Sequence, residues 1–170
     1  MALKADRICN DSMIDWFMNE TAERGGIVVI STTGSGIAMD QAKQLCTYNP
    51  TDSNSLAGSM SGCRPLGVLM NDVVNLDLTR QHMNWHKDEV QQGGKVTIWN
   101  RCTVVTNRIY PGTTPAEGNP AWVAHSGYIA PTDVTASTDT GLEGATRRLV
   151  GAFMSTLDED GYCKVAINLP

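Results

Sequence analysis

Few residues of this chain have a type and spacing that could do chemistry, and the first are His82 and His86. They lie four residues apart in HMNWHKDE, with Asp88 and Glu89 beside them. On a helix such a pair could bind zinc while a carboxylate oriented a water molecule. The flanking sequence reads as extended, and strand residues four apart are separated by about 13 Å, too far to bind one ion. We therefore expect polar surface histidines and no metal site.

Three further motifs that could bind an ion or a phosphate, or supply a nucleophile, are also incomplete. The acidic run at residues 158–160 lacks the alternating oxygen ligands and terminal Glu of a calcium-binding EF-hand loop. Thr33-Gly34-Ser35-Gly36 has no Gly-Lys-Ser/Thr after it to bind phosphate. Ser126 follows His125 without a nucleophile-elbow pattern. The sequence therefore predicts no catalytic residue, no cofactor and no enzymatic activity.

The charge composition of the chain argues against nucleic acid as a partner. Charged residues make up 18% of the 170 residues, below the roughly 25% of an average soluble domain, and the formal net charge is −5. No cluster of Lys and Arg is larger than the pair Arg147-Arg148. Tight binding of nucleic acid needs several cations to neutralise phosphates, so we expect no nucleic-acid partner.

The pattern of cysteines and the absence of a long apolar run indicate where the protein is made. The five cysteines are odd in number, widely spaced and without a C-x-x-C pair, so we expect reduced thiols rather than disulfides or a zinc knuckle. No apolar core segment opens the chain, and no run of 18 apolar residues could span a membrane. The expectation is a protein made in the cytoplasm with no membrane partner.

Residues 1–24 differ from the rest and are interpreted as an N-terminal arm carrying a short helix. Ser12 and Asp15 suit a capping box, and Met13, Trp16 and Phe17 would then share one helical face. A helix of two to three turns is marginal alone, so its aromatic side chains need a surface to pack on. That surface is either the body of the domain or a neighbouring subunit.

Residues 25–170 are predicted to be one mainly β domain, a small β-barrel or sandwich with a long loop near 47–62. Residues 26–31 read as a buried strand because four consecutive positions are β-branched. Asp160-Gly161 between two alternating apolar runs predicts a closing hairpin, since Gly tolerates the positive φ of a tight turn. The core is expected from strands near Val28, Val73, Val96, Val104, Val150 and Val165.

The order of several segments resembles the capsid decoration, or cement, proteins of tailed bacteriophages. The segments are PLGVLMNDVVNLDLTRQHMNWHKDEVQQGGKVTIW, GNPAWVAHSGYI and VGAFMSTLDEDGYCKVAINL, with ERGGIVVISTTGSGIAMDQ upstream. They contain a G-x-x-x-x-D element, a Gly-Gly turn, a G-N-P segment with a Gly seven residues after its Pro, and a final V-x-I-x-L strand. The similarity covers most of residues 23–169 and is weakest across 44–62.

This resemblance implies a non-catalytic virion protein that binds the outer surface of the expanded phage head. Its partners would be the major capsid protein and copies of itself, with a homotrimer favoured over a dimer. Aromatic and Arg side chains commonly dominate interfaces, so the interface is expected to contain Trp16, Phe17, Arg80, His82, Trp85 and His86. Two alternatives stay open: a stand-alone β-barrel module that binds a metal or another ligand, and a structural subunit of a tail or spike.

Overall fold

The computed structural model describes the backbone of residues 8–18, 20–30, 45–47, 64–75, 89–124, 127–132 and 149–170. The side chains of these residues are described as well, except at 8–10, 30, 45–47 and 64. These ranges contain eleven strands: β1 (Ile8–Met18), β2 (Ile27–Ile30), β3 (Leu45–Thr47), β4 (Arg64–Leu69), β5 (Asp72–Val74), β6 (Glu89–Gln91), β7 (Lys95–Thr106), β8 (Pro120–Val123), β9 (Ile129–Ala130), β10 (Leu149–Phe153) and β11 (Cys163–Asn168). The prediction of a mainly β fold is confirmed.

Nine of these strands form one sheet, and its first part closes on itself. The order β1-β3-β2-β4-β7 is completed by direct pairing of β1 with β7, so these five strands form a ring. β1 pairs antiparallel with β7 from Ile8 opposite Thr103 to Phe17 opposite Lys95. On its other edge β1 pairs parallel with β3 at Phe17 and Met18. We call these strands the first ring.

The remaining strands close a second ring on the same long strand. The sheet continues from β7 through β11, β10 and β8 to β9. Ile109, just beyond the end of β7, then bridges Ile129 of β9. Two backbone hydrogen bonds join this closure: Tyr110 N donates to Ile129 O at 2.8 Å, and Ile129 N donates to Arg108 O at 2.9 Å. A sheet closed in this way leaves few unpaired strand edges.

β7 is the strand that both rings share, and its side chains alternate in burial along its whole length. Val96 and Ile98 belong to the core cluster of the first ring, whereas Cys102 and Val104 belong to that of the second ring. Asn100, which is 6% exposed, lies between these two pairs. The inward side chains of this single strand, which recur at every second residue, therefore contribute to two adjacent cores.

Two clusters of buried side chains constitute the core of the described residues. The first-ring cluster contains Met18, Val28, Leu66, Leu69, Val73, Val96 and Ile98. The second-ring cluster contains Ile27, Val29, Val68, Cys102, Val104, Ile109, Ala121, Val123, Ile129, Val150, Phe153, Cys163, Val165, Ile167 and Leu169. All six valines expected in the core are in these clusters, so that prediction is confirmed.

The closing hairpin is also confirmed. β10 and β11 pair antiparallel, with Phe153 opposite Val165. Gly161 has φ 78°, the left-handed conformation for which the turn needs glycine. At Gly151 the reason for glycine is different: a Cβ there would collide with the carbonyl oxygen of Ala166 on β11.

The predicted helix in the N-terminal arm is wrong, because residues 8–18 are strand β1. Met13 lies opposite Ile98 and Trp16 opposite Val96, so three steps along β1 match two steps along β7. The extra residue is a β-bulge, and it returns both side chains to the first core. A bulge thus produces the i, i+3 apolar spacing that in a sequence suggests a helix. β1 belongs to the first ring.

Thr47 is the last residue of β3, and residues 48–62 of the expected long loop lie outside the described residues. No helix in the described part of the chain is long and apolar enough to cross a membrane.

Candidate interaction surface

Two of the aromatic residues expected at an interface, Trp16 and Phe17, lie next to each other on β1 but face opposite ways. Trp16 is half-buried and packs against the first core. Phe17 lies opposite Lys95 on β7, and both side chains point away from the core. Trp16 therefore contributes mainly to the fold, whereas Phe17 is presented on the outer surface of the ring.

Phe17 is itself half-buried, and an exposed ion pair lies beside its ring. Lys95 Nζ lies 5.6 Å from the centroid of the Phe17 ring and 3.2 Å from Asp15 Oδ1. The side chains of Lys95 and Asp15 are 58% and 72% exposed, so this ion pair adds little stability. Ile14, at the bulge of β1, is 62% exposed. An outward aromatic ring and an exposed aliphatic side chain on one strand are suited to contact another protein.

The other four expected interface residues are Arg80, His82, Trp85 and His86. They lie outside the described residues. Their position relative to Phe17, and the exclusion of a histidine metal site, stay predictions.

The acidic turn of the closing hairpin uses its first carboxylate to organise its own backbone. Asp158 Oδ1 accepts hydrogen bonds from the backbone N–H groups of Asp160 at 3.0 Å and Tyr162 at 2.7 Å. Over the ranges described, no group of three or more His, Cys, Asp or Glu side chains is arranged to hold a metal ion. Asp158 therefore has a structural role in this turn.

Cys163 is buried beneath this hairpin. Its thiol donates a hydrogen bond to the carbonyl oxygen of Ser155 at 2.9 Å, and the backbone N–H of Lys164 donates to Ser155 Oγ at 2.9 Å. Burial raises the pKa of the Cys163 thiol above 9.0, and hydrogen bonds from Ser155 only partly offset this effect. A protonated, buried thiol is unreactive, so it serves as a small core side chain.

An ion pair ties the two rings together at Arg108. Its guanidinium contacts Glu23 Oε2 from the β1–β2 connection and donates a hydrogen bond to Tyr128 Oη at 3.4 Å. The Arg108 Cζ atom also lies 5.6 Å from the centroid of the Tyr128 ring. Because only 17% of the Arg108 side chain is exposed, we interpret this cluster as structural.

The sequence reasoning missed one surface, which we call the second-ring face. It consists of the outward side chains of β8, β10, β11 and the part of β7 from Arg101 to Thr106. Ala152 of β10 lies opposite both Pro120 of β8 and Ala166 of β11, and Ala166 lies opposite Thr103 of β7. Alternation along a strand places every second residue on one side, but no sequence signal showed that β8 pairs with β10.

No protein-family model matches the chain, and no curated protein matches it.

Proposed function

We propose that this chain is a structural protein of a tailed-phage virion. It binds the outer surface of the expanded head and clamps major capsid subunits together. In this role it acts without catalysis and without a cofactor. It is made in the host cytoplasm and ends on the outside of the capsid. The proposal rests on the sequence resemblance and on how the resembling segments fold.

The observation that carries the proposal is that these segments contribute to one connected sheet. Residues 65–99 contribute β4 and the start of β7 to this sheet, residues 118–129 contribute β8 and β9, and residues 150–169 contribute β10 and β11. These six strands are consecutive hydrogen-bonded neighbours in the nine-stranded sheet, whereas β5 and β6, also within residues 65–99, pair with each other in a separate two-stranded sheet. Segments that resemble one family in order along the chain therefore pack as one body, as a shared fold requires.

Two motifs of the resemblance also have defined structural roles. Asp72 of the G-x-x-x-x-D element accepts a hydrogen bond from Arg24 N at 2.8 Å through Oδ1. In the G-N-P segment, Gly118 N donates to Phe153 O and Phe153 N donates to Asn119 O, both at 2.9 Å. These contacts hold the turn before β8 against β10. The motif residues thus support the fold, and outward side chains on that fold would contact the shell.

A clamp of this kind gains strength by repetition. Phe17 and Ile14 offer only a small apolar surface on each copy. Many identical weak contacts around a closed shell add together, because each copy that engages two subunits makes its second contact at a high effective concentration. Self-association, as a homotrimer or a dimer, would multiply the effect further.

Co-sedimentation with expanded, undecorated heads of the phage that encodes the chain tests this function. The folded protein should pellet with the heads, and binding should saturate at a fixed ratio to the major capsid protein. A protein that remains folded in the supernatant at all concentrations would rule out the proposal. A melting temperature raised by zinc or calcium would instead favour a metal-binding module, and open rings or polymers of the free protein would favour a tail subunit.

A further inference from the structure

Two cysteines from distant parts of the sequence lie directly opposite each other in the sheet. β1 pairs antiparallel with β7, and the register places Cys9 opposite Cys102. The neighbouring pair, Ile8 opposite Thr103, continues the same register, whereas the register shifts on the other side, between Cys9 and Asp11. Cys9 and Cys102 therefore occupy a regular position of the ladder that closes the first ring.

Strand pairing gives these two positions the separation that a disulfide needs. Directly opposed residues of an antiparallel pair share one face of the sheet, and their Cα atoms are about 4.5–5.5 Å apart. The Cα atoms of a disulfide are usually about 4.4–6.8 Å apart. A bond between Cys9 and Cys102 would therefore need no large movement of either strand.

Two other cysteines of the described strands lie opposite residues of other types. Cys46 of β3 is opposite Met18 of β1 and Ile30 of β2. Cys163 of β11 is opposite Thr106 of β7. The remaining cysteine, at position 63, lies outside the described residues. Within the strands that the structure describes, one pair of cysteines is therefore in register.

The burial of Cys102 decides how an oxidant would reach the pair. Cys102 carries a thiol, is 5% exposed and belongs to the core cluster of the second ring. Cys9 is the second residue of β1. The ends of strands open at a lower free energy than their centres, so we expect oxidation to begin at this end of β1 and to be slow.

We propose that Cys9 and Cys102 form a disulfide that joins β1 to β7 when the protein meets a small-molecule disulfide in an oxidising solution. The thiolate of one cysteine attacks the small disulfide, forms a mixed disulfide and releases one small thiol. The thiolate of the other cysteine then attacks the protein sulfur of the mixed disulfide and releases the second small thiol. The two protein thiols lose two electrons and two protons, and the small disulfide gains both.

The bond would fasten the strand that carries Phe17 and Ile14 to the strand that both rings share. Because it joins residues far apart in the sequence, it would restrict the unfolded chain strongly and so stabilise the fold. The redox step does not depend on the proposed function, although it suits a protein that is made in a reducing cytoplasm and ends outside the cell.

Equilibrating the purified full-length chain with mixtures of reduced and oxidised glutathione tests this proposal. Alkylation of the remaining thiols, followed by mass spectrometry of peptides, identifies which cysteines are joined. Cys9→Ser removes one member of the pair, and Cys46→Ser is the matched control on β3. Circular dichroism establishes that each variant is folded, and a parallel equilibration in concentrated urea gives the behaviour of the unfolded chain.

We expect a peptide that joins Cys9 to Cys102 in the wild type and in Cys46→Ser, and its loss in Cys9→Ser. Pairing of β1 with β7 should raise the effective concentration of the two thiols about tenfold or more above its value in urea. The oxidised wild type should melt about 5 °C or more above the reduced wild type, and Cys9→Ser should lack this difference.

A folded chain in which the effective concentration is no higher than in urea, or in which a different pair is joined, would overturn the proposal. Refolding from urea into the same glutathione mixtures gives the oxidant access to every thiol, so a bond that is missing there is excluded by geometry and not by slow access. No phage heads enter these measurements, so their failure would leave the shell function standing.

Discussion

Thr106 Oγ1 donates a hydrogen bond to the carbonyl oxygen of Gly25 at 3.0 Å, across 81 positions of sequence. The same hydroxyl accepts a hydrogen bond from Arg108 N at 3.1 Å. Thr106 is the last residue of β7 and is fully buried, and Gly25 precedes β2 with φ 94°. One buried hydroxyl therefore joins the end of the shared strand to the turn that begins β2.

Replacing Thr106 with Val should lower the free energy of unfolding by about 1–3 kcal/mol. The substitution keeps the shape but leaves the Gly25 carbonyl and the Arg108 N–H without this partner in a buried place. Urea denaturation measures the change. Thr103→Val, at an outward position of the same strand, is the control and should change stability by less than about 0.5 kcal/mol. Equal values for the two variants would show that the Thr106 hydroxyl does not stabilise the fold.

Gly151→Ala should be far more damaging than a glycine substitution in a turn. The new methyl group would collide with the carbonyl oxygen of Ala166, which belongs to the backbone and cannot rotate away. We expect a loss of about 3 kcal/mol or more, or failure to fold. At Gly112, with φ 79°, a Cβ meets no atom within 4 Å, so Gly112→Ala should lose only about 1 kcal/mol through backbone strain. Thermal and urea unfolding compare the two, and similar losses would show that the collision is relieved cheaply.

Substitutions of the two aromatic residues of β1 should affect different properties, one the stability of the fold and the other binding to phage heads. Trp16→Ala should lower the free energy of unfolding by about 2 kcal/mol, because it truncates a half-buried side chain packed on the first core. Phe17→Ala should change stability by less than about 1 kcal/mol, since this ring faces outward. If Phe17 is an anchor, its removal should weaken binding to phage heads by about 2 kcal/mol. Folded Phe17→Ala protein that pellets like the wild type would exclude Phe17 from the interface.

Cys163 should make stability fall at alkaline pH. Its folded-state pKa is raised above 9.0 by burial, so above the unfolded pKa the folded chain holds a proton that the unfolded chain has lost. Its contribution to stability is therefore complete below about pH 9 and declines as the pH rises from there toward the folded pKa.

Denaturation in urea at a series of pH values between about 8 and 10 measures this effect. Cys163→Ala removes the titrating group, so its stability should fall less steeply over this interval than that of the wild type. Comparing slopes rather than absolute stabilities cancels the constant loss that the smaller side chain causes. Parallel slopes would mean that the Cys163 pKa is the same in the folded and unfolded chains.

Local features of the sequence determined several elements correctly. The β-branched run at residues 27–30 is a strand whose side chains at 27–29 are buried, because such side chains pack well on a pleated surface wherever the strand is placed. The Asp-Gly turn before β11 closes a hairpin, because its geometry depends only on neighbouring residues and on a glycine at positive φ. Val96 and Val104, both expected in the core, face inward on β7 because side chains alternate along a strand.

The tertiary structure alone decided which strands pair when they are far apart in the sequence. Met13 and Trp16 have a helical spacing, yet pairing of β1 with β7 and one bulge make them strand residues that face the same core. Only the closure of both rings shows that β7 serves two cores and that Leu149 meets Trp122. Such pairings depend on which strands satisfy each other's backbone hydrogen bonds while burying one face. The pairing therefore depends on the whole chain and cannot be inferred from any single segment.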